Sequence, residues 1–388
     1  MRIVDLTEFW SERGGGVRTY LTHMLREGTA SGHEVTVVAP GPRAETTELN
    51  GGRLLRIPGP RMPYDRTYHA LFRVREAARI VRDLRPDVLQ SSSPFLAGWI
   101  AARMSDVPVR AFVGHADLVG AYLRPTLEQV VERPSDRLFS PAWAYLRALT
   151  RRFDVTVVAG PWMADPMSDH GCPRVEVVPF GIDRTELGPH MHDAALRREL
   201  LGEIADREGA ALLVCAGRLA FEKRVRLVID AARELQPSRP VALAILGEGP
   251  EKARLQRRAR GLPVRFLGFK KDEGRRYFAR VMASADALVH GSAAETFGFT
   301  LAEALVSGTP IVVADAGAAF FQGDASCREV YPAYGGSSEI AAAIRRLLGG
   351  PRALQRAASL RWASAIPSLS DHFANLFALY ARMLRDKS

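Results

Sequence analysis

Cysteine is scarce in this chain. The three present in 388 residues, Cys172, Cys215 and Cys327, stand far apart. They have neither the spacing of a disulfide framework nor that of a metal site, so a stapled secreted domain and a cysteine-based zinc module are excluded. Long apolar runs are missing too. No stretch reaches the roughly 18 uninterrupted residues of a spanning helix. The chain opens Met1-Arg2-Ile3-Val4-Asp5, with an acid where a signal peptide is apolar. A reducing, cytoplasmic setting is therefore expected. There is no short-period repeat and no low-complexity tract. No glycine cluster completes G-x-G-x-x-G, which disfavours a nicotinamide dehydrogenase. No D-x-D pair offers metal ligands, so no catalytic metal and no cofactor are expected.

What is present is ordinary globular material, with 47% hydrophobic and 25% charged residues. At about 150 residues per domain the length suggests two or three domains. The net charge of +10 is unevenly placed. Residues 1–183 carry 23 arginines and no lysine against 21 acids, while residues 184–388 carry the other 30 basic residues against 22 acids. An anionic ligand is thus expected in the second half. No stretch alternates basic and aromatic residues as a nucleic-acid module would, so nucleic acid is not expected as a partner.

Short apolar runs alternate with helix-like stretches throughout. Strands are expected at 2–6, 33–39, 87–90, 109–113, 154–158 and 175–178, then at 211–216, 241–246, 264–267, 285–289 and 310–313. Helices are expected at 17–32, 67–84, 95–104, 223–235 and 300–307. Continuous Val/Ile/Leu strands imply burial on both faces. Strand–helix alternation implies parallel sheets with right-handed crossovers. Two such series predict two doubly wound α/β domains, 1–183 and 184–365. The joint falls at Pro179-Phe180-Gly181-Ile182-Asp183. The segment 366–388 reads as an amphipathic helix, with Phe373, Leu376, Phe377, Tyr380 and Leu384 at helical spacing, packing back on the first domain.

Ligands of parallel α/β sheets bind beyond the carboxyl ends of strands. Four loops there carry chemistry. Gly14-Gly15-Gly16-Val17 lets backbone approach a ligand at a helix start, or is merely a flexible loop. Leu246-Gly247-Glu248-Gly249-Pro250 reads as a tight strand-to-helix turn. Gly217-Arg218-Leu219-Ala220-Phe221-Glu222-Lys223 places two cations where they can converge on a diphosphate, or on the surface. The fourth runs Glu295-Thr296-Phe297-Gly298-Phe299-Thr300-Leu301-Ala302-Glu303. With the helix starting at Thr300, Glu303 completes a capping box. Alternatively the helix start holds a phosphate, and Glu295 and Glu303 accept from sugar hydroxyls. His115 ends the strand 109–113, with Asp117 nearby as a weaker candidate. It is a functional histidine at a strand end, or a satisfied partly buried one.

The fourth loop resembles the E-x7-E signature of the retaining family 4 glycosyltransferases, the glycosyl transferases group 1. Gly14–Val17 is similar to that family's N-terminal glycine loop, Val178–Asp183 to its interdomain P-x-G-[VI]-D, and Gly217-Arg218-Leu219 with Glu222-Lys223 to its G-R-L…E-K. Leu246–Pro250 and Phe266-Leu267-Gly268 are similar to the pair that follows. The ordered set spans about residues 2 to 313. The resemblance implies a GT-B fold, two Rossmann-like domains facing across a cleft, the first binding acceptor and the second a nucleotide-diphosphate sugar. It implies that Arg218 and Lys223 neutralise the diphosphate and that Glu303 holds the ribose. Glu295 then holds the transferred sugar. Amides around Gly298–Leu301, with Phe297, Phe299 and Thr300 in that loop, cradle the distal phosphate, and Gly15 and Gly16 reach it from the other domain. His115 sits near the reacting centre. The family's retaining outcome implies same-face attack, with the leaving phosphate taking the acceptor proton. Where the family runs through a Gly-Gly…Glu loop, Ala316–Phe321 carries no acid, which leaves the sugar open between mannose and glucose and the nucleotide between UDP and GDP.

Arg61–Arg85 holds seven arginines among apolar residues including Tyr64, Tyr68, Leu71, Phe72, Ile80, Val81 and Leu84. It is either a basic amphipathic segment for an anionic membrane's inner face or a packed helix with a solvated face. A lipid, lipid-linked or glycan acceptor follows from the first, a small soluble acceptor from the second. A nucleotide-sugar epimerase, a phosphorylase and a non-catalytic sugar-nucleotide binding module are the competing classes.

Overall fold

The computed structural model describes residues 1–11, 15–63, 65–115, 117–127, 136–268 and 274–387. Gly14, Tyr64 and Ala116 lie outside the described residues. The chain forms two compact units, Met1–Gly181 with Pro367–Ser388, and Ile182–Ile366.

The first unit is built on an eight-stranded sheet. Its strands are β1 (Arg2–Leu6), β2 (Glu34–Gly41), β3 (Glu45–Leu49), β4 (Gly52–Pro58), β5 (Val88–Ser91), β6 (Val109–Gly114), β7 (Val155–Val158) and β8 (Val175–Val177). The order is β3-β4-β2-β1-β5-β6-β7-β8. All neighbours are parallel except β3 and β4. β5 and β7 are buried along their whole length, as strands covered on both faces must be. The chain reverses direction across the sheet between β1 and β5. The loops leaving these two strands therefore diverge and open a crevice at their carboxyl ends. The helix Leu369–Lys387 completes this unit, burying Phe373, Leu376, Phe377 and Tyr380.

The second unit carries six parallel strands, β9 (Ala211–Ala216), β10 (Val241–Leu246), β11 (Val264–Phe266), β12 (Ala287–Val289), β13 (Ile311–Ala314) and β14 (Arg328–Tyr331). Their order is β11-β10-β9-β12-β13-β14. β9 and β12 are neighbours though more than seventy residues apart, with Leu213 opposite Ala287 and Val214 opposite Leu288. This is the same kind of reversal, and it brings the loops after β9 and β12 together. Beneath them, Val228, Ile229, Leu243, Ile245 and Ile344 form a core with negligible exposure.

Most expected elements move only by a residue or two at their ends. Three differences are larger. The expected helix 67–84 is helical only over Val74–Leu84. Before it, the Asp65 carboxylate accepts from Thr67 N and Oγ1 at 3.1 and 2.7 Å, and Arg61 bridges to His69. This local pairing competes with a helix. The expected helix 223–235 begins only at Val225, because Arg224 has φ 49°. The β3–β4 hairpin was not expected. Its Asn50-Gly51 turn, with both φ positive, is the standard two-residue hairpin signal. β14 also lay beyond the expected strands.

Candidate active site

In the second unit, glycine geometry locks two loops together. Gly247 has φ +147°, and a Cβ there would lie 1.9 Å from the Gly217 carbonyl oxygen. A Cβ on Gly249 would lie 2.3 Å from the Leu219 carbonyl oxygen. With no side chains in the way, Leu219 N donates to Glu248 O and Glu251 N to Leu219 O, at 2.9 and 3.0 Å. The turn after β10 thus braces the Arg218 loop after β9.

Lys223 leaves that loop and forms an ion pair with Glu295, which follows β12. His290 Nε2, at the end of the same strand, lies 3.1 Å from Glu295 Oε1. Close approach again depends on a glycine, since a Cβ on Gly291 would meet the Lys223 carbonyl oxygen at 2.7 Å. Burial by itself pushes the Glu295 carboxyl up, but Lys223 and His290 outweigh it and hold the group below the ordinary carboxylate range. Glu295 is thus a fixed anion with Lys223 as its ion-pair partner. Arg218, in the same loop as Lys223, is exposed. Ala318 N donates to Glu295 O at 2.9 Å, so the acid-free segment after β13 supports this loop from behind.

The following helix runs Phe299–Val306. The expected capping box is not formed. The N-cap is Gly298, in the left-handed region at φ 80°, and no side chain caps the helix. Thr300 is already helical, so its hydroxyl cannot serve as the cap. Glu303 instead meets Arg275 on the helix Gly274–Ser284, with Oε1 2.5 Å from Nη1. Burial pushes the Glu303 carboxyl up, and Arg275 offsets part of that. Phe297 and Phe299 pack edge to face at 4.7 Å, and Gln322 Nε2 holds the Phe297 carbonyl at 2.8 Å. Leu301 is fully buried and turns its side chain to the core.

Gly15, Gly16 and His115 belong to the first unit. Gly15 has φ +127° and precedes the helix Gly16–Ala30, which no side chain caps. A Cβ on Gly16 would meet nothing within 4 Å. His115 follows β6, with Nε2 3.0 Å from Ser92 Oγ and its ring 4.4 Å from Tyr20 and 5.4 Å from Phe180. Burial, and after it the neighbouring His372, pull its pKa down to about 3. The Asp117 carboxylate accepts from Val119 N and Gly120 N at 3.0 and 2.8 Å, which makes it the cap of the next helical turns. Among the described residues, no three His, Cys, Asp or Glu side chains cluster as metal ligands do.

Sequence reasoning missed His290, Arg275, Ser92 and Asp5. His290 had a signal, since it ends a buried strand. Arg275 had none, because its partner lies 28 positions away on another helix.

Two parallel α/β units of this kind make up the GT-B architecture of glycosyltransferases. Sucrose-phosphate synthase from Thermosynechococcus elongatus superposes with a TM-score of 0.77 over 100% of both chains, at 17% identity. An Anabaena protein solved with UDP and glucose gives 0.72 over 98% of this chain and 100% of its own, at 19% identity. Residues 14–186 match the family described as Glycosyltransferase Family 4, and residues 210–349 match Glycosyl transferases group 1. A GDP-mannose-dependent alpha-(1-6)-phosphatidylinositol dimannoside mannosyltransferase of Mycobacterium tuberculosis is 32% identical over 81% of this chain and 79% of its own. A GDP-mannose-dependent alpha-mannosyltransferase of the same species is 30% identical over 82% and 80%. An alpha-monoglucosyldiacylglycerol synthase of Streptococcus pneumoniae is 24% identical over 80% and 70%. The chain belongs to the family 4 glycosyltransferases.

Proposed function

We propose that the protein is a retaining, metal-independent mannosyltransferase that moves mannose from GDP-mannose to a hydroxyl of a lipid-linked acceptor. The observation that carries this reading is the meeting of Lys223, Glu295 and His290 at the β9–β12 reversal, next to a helix start that no side chain caps. Such a place offers a cation and a helix N-terminus to phosphate, and a fixed carboxylate to hydroxyls. Arg218 and Lys223 neutralise the diphosphate, the amides of Gly298–Leu301 take its distal phosphate, and Glu303 takes the ribose hydroxyls. Glu295 orients the mannose. Gly15, Gly16 and His115 serve the same reaction from the first unit. The sugar C1–O bond to the phosphate breaks as the acceptor oxygen bonds to C1 on the same face. The departing phosphate oxygen takes the acceptor proton. Rate comes from fixed charge placed where the leaving group develops its own.

Guanine and mannose are supported by the names of the relatives at 30–32% identity. A lipid acceptor is supported by two observations. One relative is named for phosphatidylinositol dimannoside and another for diacylglycerol. In addition, all seven arginines between 61 and 85 are exposed, alongside Met62, Val74 and a Phe72 that is 70% exposed. Beneath them Ala77 and Val81 anchor the helix in the core. This surface suits an anionic bilayer face, and no described helix is long and apolar enough to cross one. The reading puts the protein at the inner membrane surface.

A thermal-shift panel of UDP, GDP, ADP and their hexose conjugates tests the donor, with EDTA present throughout. A ligand at about 100 times its Kd adds roughly 2.7 kcal/mol. GDP and GDP-mannose are expected to shift the protein, and radiolabelled mannose is then expected to enter phosphatidylinositol-containing vesicles. A shift from UDP conjugates alone would overturn the donor, and donor epimerisation without transfer would overturn the reaction.

A further inference from the structure

The first unit holds a chain of buried polar groups whose hydrogen-bond directions can be worked out one by one. It starts on the C-terminal helix. Tyr380 OH lies 2.7 Å from Gln90 Oε1. A carbonyl oxygen only accepts, so this contact sets the amide with its Nε2 facing Asp5. Gln90 Nε2 donates to Asp5 Oδ2 at 2.6 Å, and Ser92 Oγ donates to the same oxygen at 2.7 Å. Above about pH 7 the Asp5 carboxylate is ionised and has no proton to give, so there the Ser92 hydroxyl must spend its own on Asp5. Towards His115 Nε2, 3.0 Å away, Ser92 can then only accept. His115 must supply the proton of that bond from Nε2. In a neutral imidazole this leaves Nδ1 as a bare acceptor.

Each member is held firmly enough for the direction to matter. Asp5, Gln90 and Ser92 are all at most 1% exposed. Tyr20 and Phe180 pack against the His115 ring, and burial keeps that ring neutral. His372, from the same helix as Tyr380, bonds Tyr20 OH at 3.0 Å and the Pro179 carbonyl at 2.8 Å, and so holds both Tyr20 and the segment that carries Phe180.

We propose that Ser92 and Asp5 are positioning residues for His115, holding it as the Nε2–H tautomer so that it meets substrate through Nδ1 as a hydrogen-bond acceptor. The group it recognises is then a hydroxyl, and a phosphate or carboxylate oxygen is repelled by the same lone pair. The inference rests on the reading that His115 serves the transfer reaction, but its core is a statement about a tautomer and can be measured without turnover.

The test uses the full chain labelled with nitrogen-15 at histidine, at pH 8.5, where Asp5 is ionised. Signals of His115 are identified by their loss in His115→Gln. Nε2 is expected at a protonated, pyrrole-type shift and Nδ1 at a bare, pyridine-type shift. Ser92→Ala is expected to give a mixture of tautomers. It should lower kcat for GDP release from GDP-mannose with phosphatidylinositol vesicles about tenfold, roughly the worth of one hydrogen bond, with KM within about twofold. Ser92→Thr keeps the hydroxyl and is expected to restore both tautomer and kcat. A wild-type His115 protonated on Nδ1 overturns the proposal, and so does a Ser92→Ala protein with unchanged tautomer and kcat. If wild type does not consume GDP-mannose, the transferase reading fails while the wild-type spectrum still decides this one.

Discussion

Replacing Asp5 by asparagine should stabilise the protein at alkaline pH and leave it nearly unchanged at acid pH. Asp5 is fully buried on β1 and its carboxyl is pushed up to about 7, chiefly by desolvation, against the pull of its bonds from Ser92 and Gln90. An acid whose pKa is higher folded than unfolded binds its proton more tightly in the native state. That contribution is complete below the unfolded value near pH 4 and is lost as pH rises through about 7. A rise of about three units at about 1.4 kcal/mol each gives roughly 4 kcal/mol lost by pH 8.5. Asparagine fits the site, because its carbonyl can replace Oδ2 as acceptor for Gln90 and Ser92. Its amide then takes the place of Oδ1, which has no partner. That cost is the same at every pH and drops out of the pH dependence. For a unit of about 200 residues, 1 kcal/mol moves Tm by roughly 2–4 °C. The Asp5→Asn protein should therefore melt about 8–16 °C above wild type at pH 8.5 and within a few degrees of it at pH 4.5. Parallel scanning calorimetry at both pH values measures this. A difference in Tm that does not change with pH would refute the reasoning.

Three further outcomes are expected. Asp286, only 7% exposed, accepts from Leu212 N at 2.7 Å and pairs with Arg197 and Arg352 at 2.7 and 2.9 Å. Asp286→Ala strands two cations and should cost about 2–3 kcal/mol, the buried-pair figure reduced because Arg352 is half exposed, seen as a lower denaturation midpoint of the second unit. Gly247→Ala must place a methyl 1.9 Å from the Gly217 carbonyl at a φ of +147°. A loss of at least about 3 kcal/mol is expected, and an unchanged urea midpoint would contradict the loop bracing described above. Lys223→Met removes the cation beside Glu295 and should weaken GDP-mannose binding at least tenfold by calorimetric titration, about 1.4 kcal/mol. Binding at wild-type strength would remove Lys223 from the donor site.

The strand series and its parallel pairing could be read from residue patterns. Ala211–Ala216 and Val241–Leu246 occur where their apolar runs place them. Runs buried on both faces carry that signal locally, and each run is its own record. Local competition was harder to read. The Asp65 turn and the left-handed Arg224 each shorten an expected helix, because a single side-chain bond or backbone angle outweighs the periodicity around it. The Asn50-Gly51 hairpin was legible in principle from its turn residues.

The candidate site divides along the same line. The sequence alone marked Arg218, Lys223, Glu295, Glu303 and His115, because strand ends and glycine loops are local features. Which of them are partners was decided only by tertiary structure. Lys223 meets Glu295 because β9 and β12 are neighbours in the sheet, a pairing set by strand order and not by distance along the chain. Glu303 turned to Arg275 and not to the helix cap because Gly298, in a left-handed conformation, took the capping position. His115 acquired a direction, through Ser92, Asp5, Gln90 and Tyr380, from groups spread over the chain from residue 5 to residue 380. Residue types set which bonds are possible, and only the packed fold brings a donor within 3 Å of one acceptor among many.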